Sequence, residues 1–112
     1  MSLNGLWSSE IYGLFGWEPT GVLIMDGDRA YGGGSNHLSM GEFSVDGDDV
    51  TLDLELDFHG QPKTVFGRAD RELRVHMKGR QQDGVIEGEA CRPDKPDMSI
   101  HFRLVRRGDL PR

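Results

Sequence analysis

The nine residues Val50-Thr51-Leu52-Asp53-Leu54-Glu55-Leu56-Asp57-Phe58 decide the fold class of this chain. Apolar and polar side chains alternate in this stretch without a break. Because successive side chains of a β-strand point to opposite faces, this period of two is typical of a strand with one buried and one solvated face. An amphipathic helix would need apolar residues three as well as four positions apart, and no two apolar residues in this stretch are three apart.

Other segments of the chain are also predicted to be strands. Residues 72–78 and 98–104 show the same alternation, with Leu73, Val75 and Met77 on one side of the first of them. Less regular segments with β-branched and aromatic residues between turn residues are Leu6–Tyr12, Val22–Met25, Leu38–Val45, Thr64–Gly67 and Val85–Cys91. The sequence therefore predicts eight principal strands, and Arg29–Gly33 is a candidate for a short ninth.

Glycine and aspartate mark the connections. The predicted turns are Asp26-Gly27-Asp28, Asp46-Gly47-Asp48-Asp49, His59-Gly60 and Asp83-Gly84, with Glu18–Gly21 closing the first hairpin. The 16 glycines among 112 residues are about twice the average usage of about 7%, which indicates many tight turns. The only helix that we expect is a short turn near Ser35–Met40.

Strands of this length that are wet on one face must bury the other face in a sandwich or in a closed barrel, and closure also removes exposed strand edges. We predict an all-β fold, a single antiparallel eight-stranded lipocalin-like barrel that spans residues 1–112 as one domain. Eight strands leave an interior wide enough for side chains or for one small ligand. Residues 1–3 are a candidate remnant of an expression tag, and residues 107–112 are predicted to be a flexible tail.

Charge and cysteine content limit the function classes. The chain has 13 basic and 19 acidic residues, a formal net charge of −6, which disfavours direct binding of nucleic acid. The arginines near the C-terminus are interpreted as solvated surface residues. Cys91 is the single cysteine, and the sequence has no apolar run of about 18 residues, so we predict a cytoplasmic protein without a membrane segment.

An acidic loop is the first candidate site. Asp46, Asp48 and Asp49, together with Glu42, could contact a basic partner or a divalent cation through their carboxylate oxygens. The spacing does not match a complete calcium loop, and Asp-Gly-Asp at a hairpin also has a plain explanation as turn chemistry.

Four aromatic residues form the second candidate site. Trp7, Tyr12, Phe15 and Trp17 crowd the first predicted hairpin. In a small barrel such a group either fills one end of the core or lines a ligand pocket, and the sequence leaves both alternatives open.

Catalytic and metal-binding patterns are weak. The four histidines, His37, His59, His76 and His101, are scattered singly, and Cys91 has no histidine in its local stretch. The glycine-rich segment Gly32–Asn36 lacks the lysine and helix of a phosphate loop. We therefore predict no metal, no cofactor and no enzymatic activity.

The order and spacing of several glycine-containing motifs resemble the GrlR family, small negative regulators of bacterial type III secretion gene expression. The motifs are Asn4-Gly5-Leu6-Trp7-Ser8, Gly21-Val22-Leu23-Ile24 with Asp26-Gly27, Gly32-Gly33-Gly34-Ser35, and Gly41. The resemblance is clearest over residues 4–58. It implies a lipocalin-like barrel, a homodimer, and a function exerted by binding a transcriptional activator protein and keeping it from DNA.

The resemblance also implies a contact surface. In the family an exposed acidic run before the central strand takes part in partner contact, and it corresponds to Val45-Asp46-Gly47-Asp48-Asp49 here. A glycine interrupts the acids in this chain, and valine stands at the first acidic position. The expected function is therefore regulatory protein binding, and the alternative is a carrier of a lipid-like or glycan ligand in a pocket lined by the four aromatic residues.

Overall fold

In a computed structural model, which describes residues 2–60 and 71–111, the chain forms a closed antiparallel barrel of eight strands. Each strand pairs with its neighbours in sequence, and the first pairs with the last. The prediction of an all-β eight-stranded barrel of lipocalin-like architecture is confirmed. The strands are β1 (Gly5–Gly13), β2 (Gly16–Asp26), β3 (Arg29–Gly33), β4 (His37–Asp46), β5 (Asp49–Phe58), β6 (Glu72–Gln82), β7 (Val85–Arg92) and β8 (Lys95–Gly108).

The membership of the eight strands differs from the prediction. Arg29–Gly33, the candidate ninth strand, is β3 and pairs with both β2 and β4. The predicted strand Thr64–Gly67 lies outside the described residues. The predicted helical turn at Ser35–Met40 is wrong, since β4 begins at His37. Cross-strand hydrogen bonds to β3 and β5 override the weak local preference of this segment.

The first hairpin turns earlier than predicted. Its tip is Leu14-Phe15, and Glu18–Gly21, the predicted turn, lies inside β2. Ser9 pairs with Gly21 whereas Glu10 pairs with Pro19, so β2 has one extra residue at a bulge. Proline, which has no backbone N–H, is tolerated there because β3 pairs with β2 only from Val22 onward.

Both chain ends are more ordered than predicted. Strand β8 continues to Gly108, and Arg107 Nε donates a hydrogen bond to Ser8 Oγ at 2.9 Å, so the predicted tail at 107–112 is wrong for its first two residues. The Leu3 side chain is 5% exposed and packs in the core. Its carbonyl oxygen accepts a hydrogen bond from Trp7 Nε1 at 3.0 Å, so Leu3 is an integral part of the barrel.

Strand direction divides the barrel into two ends. Because neighbouring strands are antiparallel, the β2–β3, β4–β5 and β6–β7 turns lie at one end, which we call the aspartate end. The β1–β2 and β7–β8 turns and the β3–β4 connection lie at the other end, which we call the cavity end.

The inward face of every strand contributes to one hydrophobic core. The largest side chains with less than 2% exposure are Trp7, Met25, Val50, Leu52, Ile86, Phe102 and Leu104. Glycines also occupy inward positions, where Gly41 pairs with Ala30 and Leu54, and Gly79 faces Gly88. The high glycine content therefore serves strand curvature as well as the turns that were predicted.

Candidate functional site

The aspartate end concentrates negative charge. All three of its turns carry an Asp-Gly pair, and their aspartates Asp26, Asp28, Asp46, Asp48, Asp49 and Asp83 are exposed. Gly27, Gly47 and Gly84 have φ values of 70°, 64° and 76°, a conformation that favours glycine and that explains the local sequence. The turns that shape the hairpins thus also place carboxylates around one rim of the barrel.

The acidic loop at Asp46–Asp49 is only loosely tied down. Asp48 Oδ1 accepts a hydrogen bond from Gln81 Nε2 at 3.2 Å. Arg80 approaches the Asp48 and Asp49 carboxylates at 3.8 and 3.7 Å, and both aspartates remain more than half exposed. Such exposed pairs contribute little to stability, so the carboxylates remain accessible to a partner.

Glu42 does not belong to this loop. It lies in the middle of β4, where its cross-strand neighbours are Arg29 and Asp53. Four residues of extended strand, roughly 13 Å, separate it from Asp46. The prediction that Glu42 joins the acidic loop is therefore wrong, although its side chain is exposed.

A second surface is apolar and lies on the outer wall of the barrel. Ile24, Tyr31 and Met40 are cross-strand neighbours, and Leu38 occupies the next outward row with Val22 across Gly33. Val22, Leu38 and Met40 are 57%, 55% and 58% exposed. We call these five residues the outer apolar face. Neighbouring exposed apolar side chains of this kind make this face a candidate interaction surface.

The barrel interior holds a cavity of about 90 Å³ toward the cavity end. Most of its lining is aliphatic or aromatic, including Ile11, Leu54, Leu56, Phe58, Leu73 and Ile100. Four polar side chains also line it: Ser9, Thr20, His37 and Ser39. Thr20 Oγ1 donates to Ser9 Oγ at 2.9 Å, and the His37 ring packs on Phe58 with centroids 5.6 Å apart.

The four aromatic residues of the first hairpin do not come together in a pocket. Trp7 is 1% exposed and fills the core, whereas Phe15 is 87% exposed at the hairpin tip. Tyr12 and Trp17 stack edge to face with centroids 5.4 Å apart, and Arg103 lies 4.2 Å from the Trp17 ring. None of the four lines the cavity within the described ranges, and of the two alternatives, filling of the core describes Trp7 alone. The bulge in β2 and the side-chain alternation in β1 send these side chains in different directions.

The described histidines do not form a metal site. His76 Nδ1 lies 2.6 Å from Asp53 Oδ1 in a cross-strand pair, and His101 faces Glu89 in the register of β7 and β8. Over residues 2–60 and 71–111, no group of three or more potential metal ligands converges. The C-terminal arginines are engaged within the chain, since Arg103 forms a two-point contact with Glu10 and Arg106 Nη2 donates to the Asn4 carbonyl.

Comparison of the chain with models of known protein families finds no match, and comparison with curated proteins finds none either. In the described part of the chain, no helix is long and apolar enough to cross a membrane.

Proposed function

We propose that this chain is a non-catalytic regulatory protein of the bacterial cytoplasm that binds a transcriptional activator protein, as its resemblance to the GrlR family implies. The observation that carries the proposal is the convergence of three Asp-Gly turns at one end of the barrel. The single cysteine, Cys91, is a free thiol, which is compatible with a reducing compartment.

The aspartate end supports the choice of partner. Exposed carboxylates on a chain of net charge −6 attract a basic protein surface and repel DNA. Activators that bind DNA carry basic surfaces, so the same charges that draw the activator to this protein exclude the nucleic acid. In this proposal the barrel competes with DNA for the activator and does not bind DNA directly.

Reversing the charge of the acidic loop tests this contact. We expect Asp48→Lys/Asp49→Lys to weaken binding to the activator by about tenfold or more, chiefly through slower association at low salt. The measurement is surface plasmon resonance against purified candidate activators of type III secretion genes from the same genome. Folding is preserved because both side chains are more than half exposed.

The matched control carries the same change of charge at the cavity end. Glu72→Lys/Asp97→Lys reverses the charge of two exposed acidic residues away from the loop. We expect this variant to slow association with the activator much less than the loop variant does. Equal losses in the two variants would show that net charge alone steers binding, and unchanged affinity in the loop variant would remove Asp48 and Asp49 from the contact.

We further propose that the outer apolar face joins two copies of the chain in a homodimer. Charged residues of both signs flank the face. On one side, Arg29 pairs across the strands with Asp26 and with Glu42. On another side, Glu55 lies next to Met40 and pairs with Arg74. In a two-fold contact each copy presents the same patch to the other, so a rim that contains both signs can pair with itself. The side chains of the outer apolar face carry no charge, so the centre of the contact adds no electrostatic repulsion between two acidic chains.

A charge in the middle of this face is expected to break the dimer. Met40→Glu should weaken self-association by about a hundredfold, since a carboxylate would be buried without a partner. Met98→Glu is the control, because Met98 is a 42% exposed methionine on β8, outside the outer apolar face. Sedimentation velocity over a concentration series measures both variants, and a wild-type chain that stays monomeric throughout would refute the dimer.

The alternative function, carriage of a large lipid-like or glycan ligand, has less support. Binding sites for drug-sized ligands usually measure about 300–1,000 Å³, several times the cavity volume of about 90 Å³. A glycan would also leave many hydroxyl groups unpaired against the mainly apolar lining.

A further inference from the structure

A carboxylate, an imidazole and a thiol lie in one row on the outer wall of the barrel. The strand register pairs Asp53 of β5 with His76 of β6, and His76 with Cys91 of β7. These side chains point outward, because Met77 and Ala90, which follow and precede them in the next register pair, are buried in the core. Strand pairing therefore places a histidine beside the cysteine that has none in its own segment.

Asp53 fixes the orientation of the His76 ring. The Asp53 Oδ1 atom lies 2.6 Å from His76 Nδ1. A carboxylate only accepts hydrogen bonds, so Nδ1 must carry a proton and donate it to Oδ1. In the neutral ring the lone pair is then on Nε2. His76 is therefore arranged as a base whose Nε2 can accept a proton from a neighbouring group.

Cys91 is the neighbour that can supply this proton. Directly opposed residues of antiparallel strands have Cβ atoms about 4.5–5.5 Å apart, so rotation about the Cys91 Cα–Cβ bond brings Sγ close to the His76 ring. The thiol is free and half-buried, and the His76 side chain is 31% exposed, so a small molecule can approach both from solvent. A nucleophile beside a base that a third group orients is the pattern of an activated thiol.

We propose that Cys91 is a modification site at which a small disulfide forms a mixed disulfide with the chain, with His76 as the base. His76 Nε2 takes the thiol proton while Cys91 Sγ attacks one sulfur atom of the disulfide. The S–S bond of the small molecule breaks as the new S–S bond forms, and its second sulfur leaves as a thiolate that takes the proton from His76. One thiol and one disulfide give a mixed disulfide and one thiol, so the step needs no further oxidant.

The charge of the chain limits the class of disulfide. The net charge of −6 favours neutral or cationic disulfides over anionic ones. The site is also separate from the proposed protein contacts, since the outer apolar face lies on β2, β3 and β4 and the acidic loop lies at the aspartate end. The inference goes beyond the proposed function, and its failure on the purified chain would leave the regulatory proposal untouched.

The test is the rate at which the purified chain takes up cystamine, a small cationic disulfide, at neutral pH. Acid-quenched samples are analysed by intact-mass spectrometry. We expect the folded chain to react about tenfold faster than the chain unfolded in urea, where the thiol is accessible but separated from His76. His76→Ala should remove this advantage. His101→Ala is the matched control, since His101 is an exposed histidine that faces Glu89, and its rate should stay within about twofold of wild type.

Two further measurements distinguish a base from a structural role of His76. Imidazole added to the buffer should restore part of the rate of His76→Ala and leave the wild-type rate unchanged. Asp53→Asn should slow the reaction several-fold, because an amide can donate to Nδ1 and move the ring proton to Nε2. Equal rates in the folded and unfolded wild type, equal losses in His76→Ala and His101→Ala, or no rescue by imidazole would overturn the proposal. If His76→Ala does not fold, the wild-type comparison and Asp53→Asn decide.

Discussion

Gly88→Ala is expected to lose at least about 3 kcal/mol of folding free energy, a large fraction of the roughly 5–15 kcal/mol that is typical of small domains. A Cβ at Gly88 would overlap the carbonyl oxygen of Lys78 and lie 2.7 Å from its carbonyl carbon. The Cα of the facing Gly79 is 2.5 Å away. Since these are backbone atoms of the paired strand β6, no side-chain movement relieves the overlap, and β6 and β7 must separate.

Gly108→Ala is the control for this prediction. An added Cβ at Gly108 would meet only the Leu6 Cδ1 atom at 4.0 Å, an ordinary contact, so the variant should stay within about 1 kcal/mol of wild type. Urea denaturation followed by far-ultraviolet circular dichroism measures both. Equal stability of the two variants would mean that the strands yield at Gly88 and that barrel closure does not depend on the glycine.

The strands with regular alternation were predictable because one physical rule determines them. In β5 and in the first half of β6 every second residue is apolar, and the outcome in the barrel is a buried inner face. The Asp-Gly turns were predictable for a similar reason, since positive φ strongly favours glycine. The β1–β2 turn was not predictable in this way, because Leu14-Phe15 is an atypical turn sequence and Pro19 resembles a turn residue.

The structural role of the inward-facing glycines could not be predicted from the sequence. Gly79 and Gly88 face each other across β6 and β7, yet nothing local distinguishes them from turn glycines. Their role depends on how closely two strands approach when a small barrel curls shut, which is a property of the whole sheet.

The candidate sites also differ in whether the sequence alone could predict them. The acidic loop was found from sequence because a hairpin turn places its own residues together. The outer apolar face was missed, since Tyr31 and Met40 are distant in sequence and meet only through the register of β3 and β4. The inward position of Ser39 could be predicted from the sequence. Ser39 and the buried Phe43 are an even number of residues apart on one strand, so both side chains point inward, whereas those of Leu38 and Met40 point outward.

Trp7→Ala is expected to cost about 3–5 kcal/mol, the second large effect, since it empties the largest buried side-chain volume in the described core. It also removes the hydrogen bond from Nε1 to the Leu3 carbonyl, which holds the N-terminal segment on the barrel. Trp17→Ala is the matched control: it deletes only the edge contact with Tyr12 and the Arg103 contact on a half-buried ring, and should cost about 1–2 kcal/mol. Thermal and urea denaturation compare the two, and a smaller loss at Trp7 than at Trp17 would contradict a core built around Trp7.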